Sequence, residues 1–146
     1  MLILYPRLKN GYWQVPIRES DKEKTAFRTS SGQLFEFNQV PFSLTNAPAT
    51  FSRLMDKVLS GLAWETCLYY LDDIIVFSTT WEDHLQRLGG VLQRLREARL
   101  KLSPAKCTLA AEEVSYLGHR VTRNGLLPDS GLLQAIRDVT VPSSQT

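Results

Sequence analysis

The sequence predicts an α+β fold: an antiparallel sheet with helices packed on one face. Three observations predict it. Residues 67–78 read Cys-Leu-Tyr-Tyr-Leu-Asp-Asp-Ile-Ile-Val-Phe-Ser, two apolar arms about a short polar centre, which is a hairpin pattern. Segments 45–60 and 80–100 repeat apolar residues at spacings of three and four, as helices with one buried face do. The resulting order, strand–helix–hairpin–helix–strand, places consecutive strands side by side and leaves the helices to cover them.

Composition sets the limits. The 146 residues make one domain, and 43% hydrophobic with 22% charged residues excludes a fully disordered chain. A formal net charge of +2 is no signature of a nucleic-acid partner. Apolar runs all fall short of the roughly 18 residues of a membrane span. Met1 to Pro6 has no cationic lead-in and too short an apolar stretch for a signal peptide. Cys67 and Cys107 supply neither a disulfide framework nor a four-ligand zinc site, and read as reduced thiols. The expectation is an intracellular protein, cytoplasmic or nuclear, with no membrane partner.

Residues 8–42 read as strands and turns. Tyr12 to Ile17 is aromatic and β-branched after an Asn10-Gly11 turn signal, and predicts a strand. Thr25 to Thr29 and Leu34 to Phe37 flank Ser30-Ser31-Gly32 as a hairpin. In 45–60, Thr45 or Asn46 can cap a helix with Pro48 in its first turn, and Phe51, Leu54, Met55, Val58 and Leu59 form its apolar face. Gly61 is placed to stop it. Both arms of the 67–78 hairpin are apolar, so both its faces are expected to be covered. In 80–100, Thr79 and Glu82 have capping-box spacing, and Leu85, Leu88, Val91, Leu92 and Leu95 form the stripe. Gly89-Gly90 costs that helix about 2 kcal/mol against alanine. Val114 to Val121 reads as one short strand before an Asn124-Gly125 turn, and 142–146 as a tail.

Asp72-Asp73 carries the chemistry. Two adjacent carboxylates stand inside a run that otherwise favours burial, and burying them unpaired costs several kcal/mol each. The pair reads as a solvated turn or as the hard-oxygen end of a cation site. Mg²⁺ suits the second reading, since it binds through one or two carboxylates together with substrate phosphates.

Tyr70-Leu71-Asp72-Asp73-Ile74 resembles the catalytic hairpin of reverse transcriptases, a YLDD motif. Four further segments resemble the same family in the same order: Leu8-Lys9-Asn10-Gly11-Tyr12-Trp13-Gln14; Val40-Pro41-Phe42-Ser43-Leu44-Thr45-Asn46-Ala47-Pro48-Ala49-Thr50-Phe51; Lys101 to Cys107; and Val114-Ser115-Tyr116-Leu117-Gly118-His119. The combination is similar to the Pol polyproteins of gypsy-type LTR retrotransposons and covers about residues 8–141. The resemblance implies a polymerase palm-like domain over 8–141, an unmatched segment 1–7, and no fingers, thumb or ribonuclease H domain within the chain. It implies RNA-directed DNA synthesis, a nucleotidyl transfer from dNTP to a primer 3′ end on an RNA or DNA template, with Mg²⁺ (or Mn²⁺) held by three carboxylates. Asp72 and Asp73 would be two of those metal ligands. Tyr12 would lie under the incoming sugar, with Phe42 and Tyr70 near the nucleotide. Lys106 would stand near the triphosphate as a proton donor to pyrophosphate, or is an ordinary surface lysine. Tyr116, Leu117 and Gly118 would touch the primer backbone.

The chain departs from that pattern where the third carboxylate belongs. Counting back from Tyr12 and Leu8, Arg7 holds its place. A two-ion centre needs a carboxylate there to bridge the ions, and a fixed cation would repel Mg²⁺. We therefore expect Arg7 to pair with Asp72 or Asp73 and the chain alone to be inactive. The alternatives are an Arg7 that touches nothing, and a non-catalytic nucleic-acid-binding or protein-interaction module of retroelement descent. Ser43 stands where the family usually has glycine. Between His84 and Lys106, Arg87, Arg94, Arg96, Arg99, Lys101 and Lys106 face Glu97 alone. This reads as a solvated face or as a phosphate-tracking one, with Arg94, Arg99 and Lys101 as its contacts. Apolar palm faces left uncovered would favour self-association.

Overall fold

The computed structural model describes residues 2–129 together with residues 131, 134 and 138. Its centre is a four-stranded antiparallel sheet in the order β4-β5-β1-β6, formed by β4 (Cys67–Tyr70), β5 (Asp73–Ser78), β1 (Leu2–Tyr5) and β6 (Thr108–Ala111). The 67–78 segment is the expected hairpin. Leu2-Ile3-Leu4-Tyr5, unmatched by any motif, forms an inner strand, with Leu2 opposite Ser78, Ile3 opposite Phe77 and Leu4 opposite Val76. Successive side chains of a strand point to opposite faces. Leu4 accordingly joins one core and Ile3 the other.

Leu4 faces the helices. α2 (Ala47–Val58) has Pro48 in its first turn and buries Phe51 and Met55, while α3 (Trp81–Glu97) buries His84, Val91 and Leu95. These side chains pack with Leu8, Leu59, Cys67, Ile74, Val76 and Leu100 into the main core. The helices thus lie on one face, as the apolar periodicity predicts. Ile3 and Ile75 face the opposite way and pack on Val114 beneath a second sheet of β7 (Val114–Tyr116), β8 (His119–Thr122) and β9 (Gly125–Pro128). A four-residue helix α1 (Glu19–Lys22) and a two-by-two-residue hairpin, β2 (Phe27–Arg28) with β3 (Leu34–Phe35), fill the stretch before α2.

Four expectations are corrected. Residues 11–14 form a 3-10 turn rather than the start of a strand, because Asn10 takes the left-handed conformation (φ 51) and its carbonyl accepts from the Trp13 amide at 3.0 Å. The cap of α3 is Thr80, not Thr79: its hydroxyl accepts from the Asp83 amide at 3.2 Å. The single strand expected over 114–121 is broken at Leu117-Gly118, whose φ values of 49 and 76 are those of a tight type I′ hairpin turn. Thr108–Ala111, not foreseen as a strand, completes the sheet beside β1. Ser43 has φ 78, so a side chain sits where glycine is unstrained, at a cost of about 1–2 kcal/mol. The expected tail, 142–146, lies outside the described residues.

Candidate functional site

The β4–β5 hairpin ends in a two-residue turn, with Tyr70 opposite Asp73. Its first central residue, Leu71, has φ 52. That conformation suits glycine, and its adoption by leucine stores about 1–2 kcal/mol. Two backbone bonds hold the turn in place: the Leu8 amide donates to the Asp72 carbonyl at 2.9 Å, and the Ile74 amide to the Pro6 carbonyl at 3.1 Å. Both carboxylates therefore sit against residues 6–11.

Asp73 faces one cation, Arg7, and one hydroxyl, Tyr5. Arg7 Nε lies 2.7 Å from Asp73 Oδ1, with the aspartate side chain 17% exposed. Tyr5, the last residue of β1, has its hydroxyl pushed well above the usual phenol range by burial and by its hydrogen bond to Asp73. Tyr5 meets Tyr116 edge to face at 5.9 Å, and burial pushes the Tyr116 hydroxyl up to about 12. The expected Arg7 pairing is thus with Asp73, through a segment ordered by its place in the sheet.

Asp72 is under different constraints. Its Oδ1 is buried without a hydrogen-bond partner, and its Oδ2 accepts only a long bond, 3.4 Å, from the Gly11 amide. Burial pushes its carboxyl above the ordinary value, and the neighbouring Asp73 charge adds to this. The Gly11 amide and the Arg7 and Lys106 cations pull the other way. Lys106 closes a short 3-10 turn, Pro104–Lys106, and is exposed, yet its charge is felt at Asp72.

Tyr12 lies beside this pair. Its ring meets Phe42 at 5.6 Å and the buried Phe51 at 5.5 Å, and burial followed by the Asp72 charge pushes its hydroxyl up. Phe42 is half exposed and also packs on Trp13. Tyr70 is exposed at the end of β4, directly across the hairpin from Asp73. The structure therefore groups Asp72, Asp73, Lys106, Tyr12, Phe42, Tyr70 and Tyr116. Leu117 and Gly118 form the exposed turn after Tyr116. Arg94 and Arg99 are exposed near the end of α3 and just beyond it, and among the described residues neither bonds to the carboxylates. Lys101 is exposed, and its backbone is tied to Gln14. Gln14 donates to the Lys9 and Lys101 carbonyls at 2.7 and 3.0 Å and accepts from the Lys101 amide at 2.6 Å.

Three residues that build this site carry no obvious signal in the sequence. Gly11 reads as a turn residue, but a methyl group there would lie 2.0 Å from Asp72 Oδ1. Tyr5 lies in an unmatched segment. Gln14 acts on residues 87 positions away. Only Gly11 could have been suspected, as a glycine inside a matched motif.

The donor set does not fit a two-ion centre. Among the described residues no third Asp, Glu, His or Cys joins the two aspartates, and a guanidinium occupies the Asp73 carboxylate. Such a centre needs a bridging carboxylate between its ions.

Comparison with known proteins bears on the fold and the family. A family model described as reverse transcriptase (RNA-dependent DNA polymerase) matches residues 7–121. The retrovirus-related Pol polyprotein from transposon 297 of Drosophila melanogaster is 42% identical over 136 residues, 93% of this chain and 13% of that polyprotein. The Pol polyprotein from transposon gypsy of the same organism is 37% identical over 135 residues, 92% of this chain and 13% of its own length. The chain thus spans about 13% of these relatives. Among solved structures, the foamy viral protease-reverse transcriptase in complex with dsDNA superimposes with a TM-score of 0.85 at 30% identity, covering 97% of this chain and 29% of that one. Its complex with an RNA/DNA hybrid gives 0.84 at 30% identity, over 97% of this chain and 19% of that one.

Proposed function

Because the chain belongs to the reverse transcriptase family, we propose that it is a palm domain that holds nucleic acid but does not assemble the two-Mg²⁺ centre of nucleotidyl transfer from its own residues. The observation that carries this reading is the 2.7 Å contact between Arg7 and Asp73. A guanidinium stays protonated at any physiological pH, so this cation cannot be titrated away. Placing Mg²⁺ on Asp73 means separating a close ion pair and setting a divalent ion beside a fixed positive charge. Asp72 alone is a poor ligand set, since Mg²⁺ binds tightly only where several oxygens converge.

Nucleic acid remains a fitting partner. The foamy viral structures are complexes with dsDNA and with an RNA/DNA hybrid. By family correspondence Tyr12 would lie under the incoming sugar, Phe42 and Tyr70 near the incoming nucleotide, and residues 116–118 against the primer backbone. Arg94, Arg99 and Lys101 would add contacts to phosphates, blind to sequence and weakened by salt. Lys106, whose charge acts on Asp72, would face the triphosphate. Nothing favours a protein-interaction module over this reading.

Metal titration separates the possibilities. Calorimetry of the chain with Mg²⁺ or Mn²⁺ is expected to show no micromolar site, and primer extension on an RNA template no product. Arg7→Asp supplies the missing carboxylate and is expected to gain Mn²⁺ binding that Asp72→Asn removes. Micromolar Mg²⁺ binding by the unaltered chain, abolished by Asp72→Asn, would overturn the proposal. For nucleic acid, fluorescence anisotropy with an RNA/DNA hybrid should show affinity falling steeply with salt. Arg94→Glu with Arg99→Glu should flatten that dependence.

A further inference from the structure

We propose that α3 carries a self-complementary docking face through which two copies of this chain pair antiparallel. The buried stripe of α3 is His84, Val91 and Leu95. Roughly 80° round the helix, at 100° per residue, runs a second apolar stripe that the fold leaves in solvent. Trp81 is 48% exposed, Leu85 50% and Leu92 39%. Trp81 is held in position by stacking on His84 at 6.1 Å.

Three features of this face point to a second copy as its occupant. The first is a hollow lined by Gly89, Leu92, Gln93 and Arg96. These residues have the spacing i, i+3, i+4, i+7, the four-residue hole that receives one side-chain knob from a facing helix. The second is symmetry. Leu85 with Leu92, and Trp81 with Arg96, lie symmetrically about the midpoint between Leu88 and Gly89. A two-fold axis there sets Leu85 of each copy at the hollow of the other, and Trp81 of each at the level of the other's Arg96, within reach of a cation–π contact. The third is charge. On the side of α3 that carries this stripe, Glu82 stands in the first turn and Arg96 in the last. Antiparallel pairing brings Glu82 of each copy within one residue of the level of Arg96 of the other, whereas parallel pairing would set like charges together. An interface whose one patch meets itself is the isologous kind that closes as a dimer.

Gly89 and Gly90 fit this arrangement. A Cβ built at either position meets nothing within 4 Å, so no packing inside the chain requires glycine there. An exposed helix interior gives up stability for each glycine. At Gly89, on the proposed axis, the missing side chain lets a second backbone approach closely.

Sedimentation equilibrium of the full chain at low ionic strength is the test. We expect a monomer–dimer equilibrium. Leu85→Asp should raise the dissociation constant at least tenfold while far-UV circular dichroism is unchanged. Glu82→Arg and Arg96→Glu should each weaken the dimer about tenfold, and the two together should restore it to within threefold, which damage to the fold would not do. A chain that stays monomeric at about 100 μM would overturn the proposal. So would a dimer unmoved by Leu85→Asp, or one that the double charge swap fails to restore.

Discussion

A methyl group at Gly11 would lie 2.0 Å from Asp72 Oδ1 and 2.7 Å from the Phe51 ring, closer than atoms approach without displacement. Phe51 is fully buried and cannot move aside, so Gly11→Ala is expected to cost about 2–3 kcal/mol in urea denaturation. Asp72 has the opposite character, since its ionised form is held under protest. Burial raises its folded pKa above the unfolded value of 3.8, so its contribution to stability is complete below that value and is lost as pH rises through the folded one. Asp72→Asn should therefore be more stable than the unaltered chain at pH 7, and the two should converge as the pH falls toward 4. Guanidinium midpoints at a series of pH values check this. Asp73 differs because Arg7 and Tyr5 meet its charge. The two adjacent aspartates are alike in sequence and differ only in what the sheet sets beside them.

At the scale of elements, the attachment of α3 to β5 runs through a buried polar pair. Ser78 donates to the Thr80 carbonyl at 3.1 Å, which leaves its oxygen to accept from His84 Nδ1 at 2.9 Å. His84 Nε2 then stays unprotonated and buried without a partner. Burial holds the His84 pKa below its ordinary 6.5, with Asp83 opposing and Arg87 adding to the shift. This stability is present above pH 6.5 and lost as the pH falls through the depressed folded value. His84→Gln should lose the part of the acid sensitivity that lies below pH 6.5, as read by thermal melts of both chains between pH 7 and 5. Arg87 fastens the same junction, bonding Asp83 at 2.8 Å and the Phe77 carbonyl at 3.2 Å, and also the Glu65 carbonyl. One of the six cations of the basic stretch is therefore a structural clasp and not a free charge. The helices and the central hairpin were legible because their apolar spacing is local. The 11–14 turn was not, because Tyr12 is placed by Phe42 and Phe51 and not by its neighbours in sequence.

Over the whole molecule, the sheet β4-β5-β1-β6 is covered on both faces, by helices on one and by β7–β9 on the other. Adjacent residues of β1 serve the two cores, Leu4 at 4% exposure and Ile3 at 0%. Leu4→Ala and Ile3→Ala are each expected to cost about 2–4 kcal/mol. Because one strand belongs to both cores, circular dichroism and tryptophan fluorescence should report the same single transition in each variant. Two separate transitions in Ile3→Ala would mean that β7–β9 unfolds independently of the helical side. Large apolar side chains stay exposed on α3 (Trp81, Leu85, Leu92), on the β2–β3 hairpin (Phe27, Leu34, Phe35), at Trp64, and at Leu126 and Leu127 of β9.

Periodicity alone specified α2, α3 and the 67–78 hairpin, and the ordered motifs identified the family, because each depends on residues near one another in the chain. The state of the aspartates could not be read that way. Arg7 was visible as a cation in an acidic residue's place, but its ion pair with Asp73 exists because Leu2–Tyr5 pairs with a strand about 75 residues later. A four-residue apolar run has no such partner written beside it. Its pairing, and with it the charge balance at Asp73, arises when the folded sheet brings both segments together.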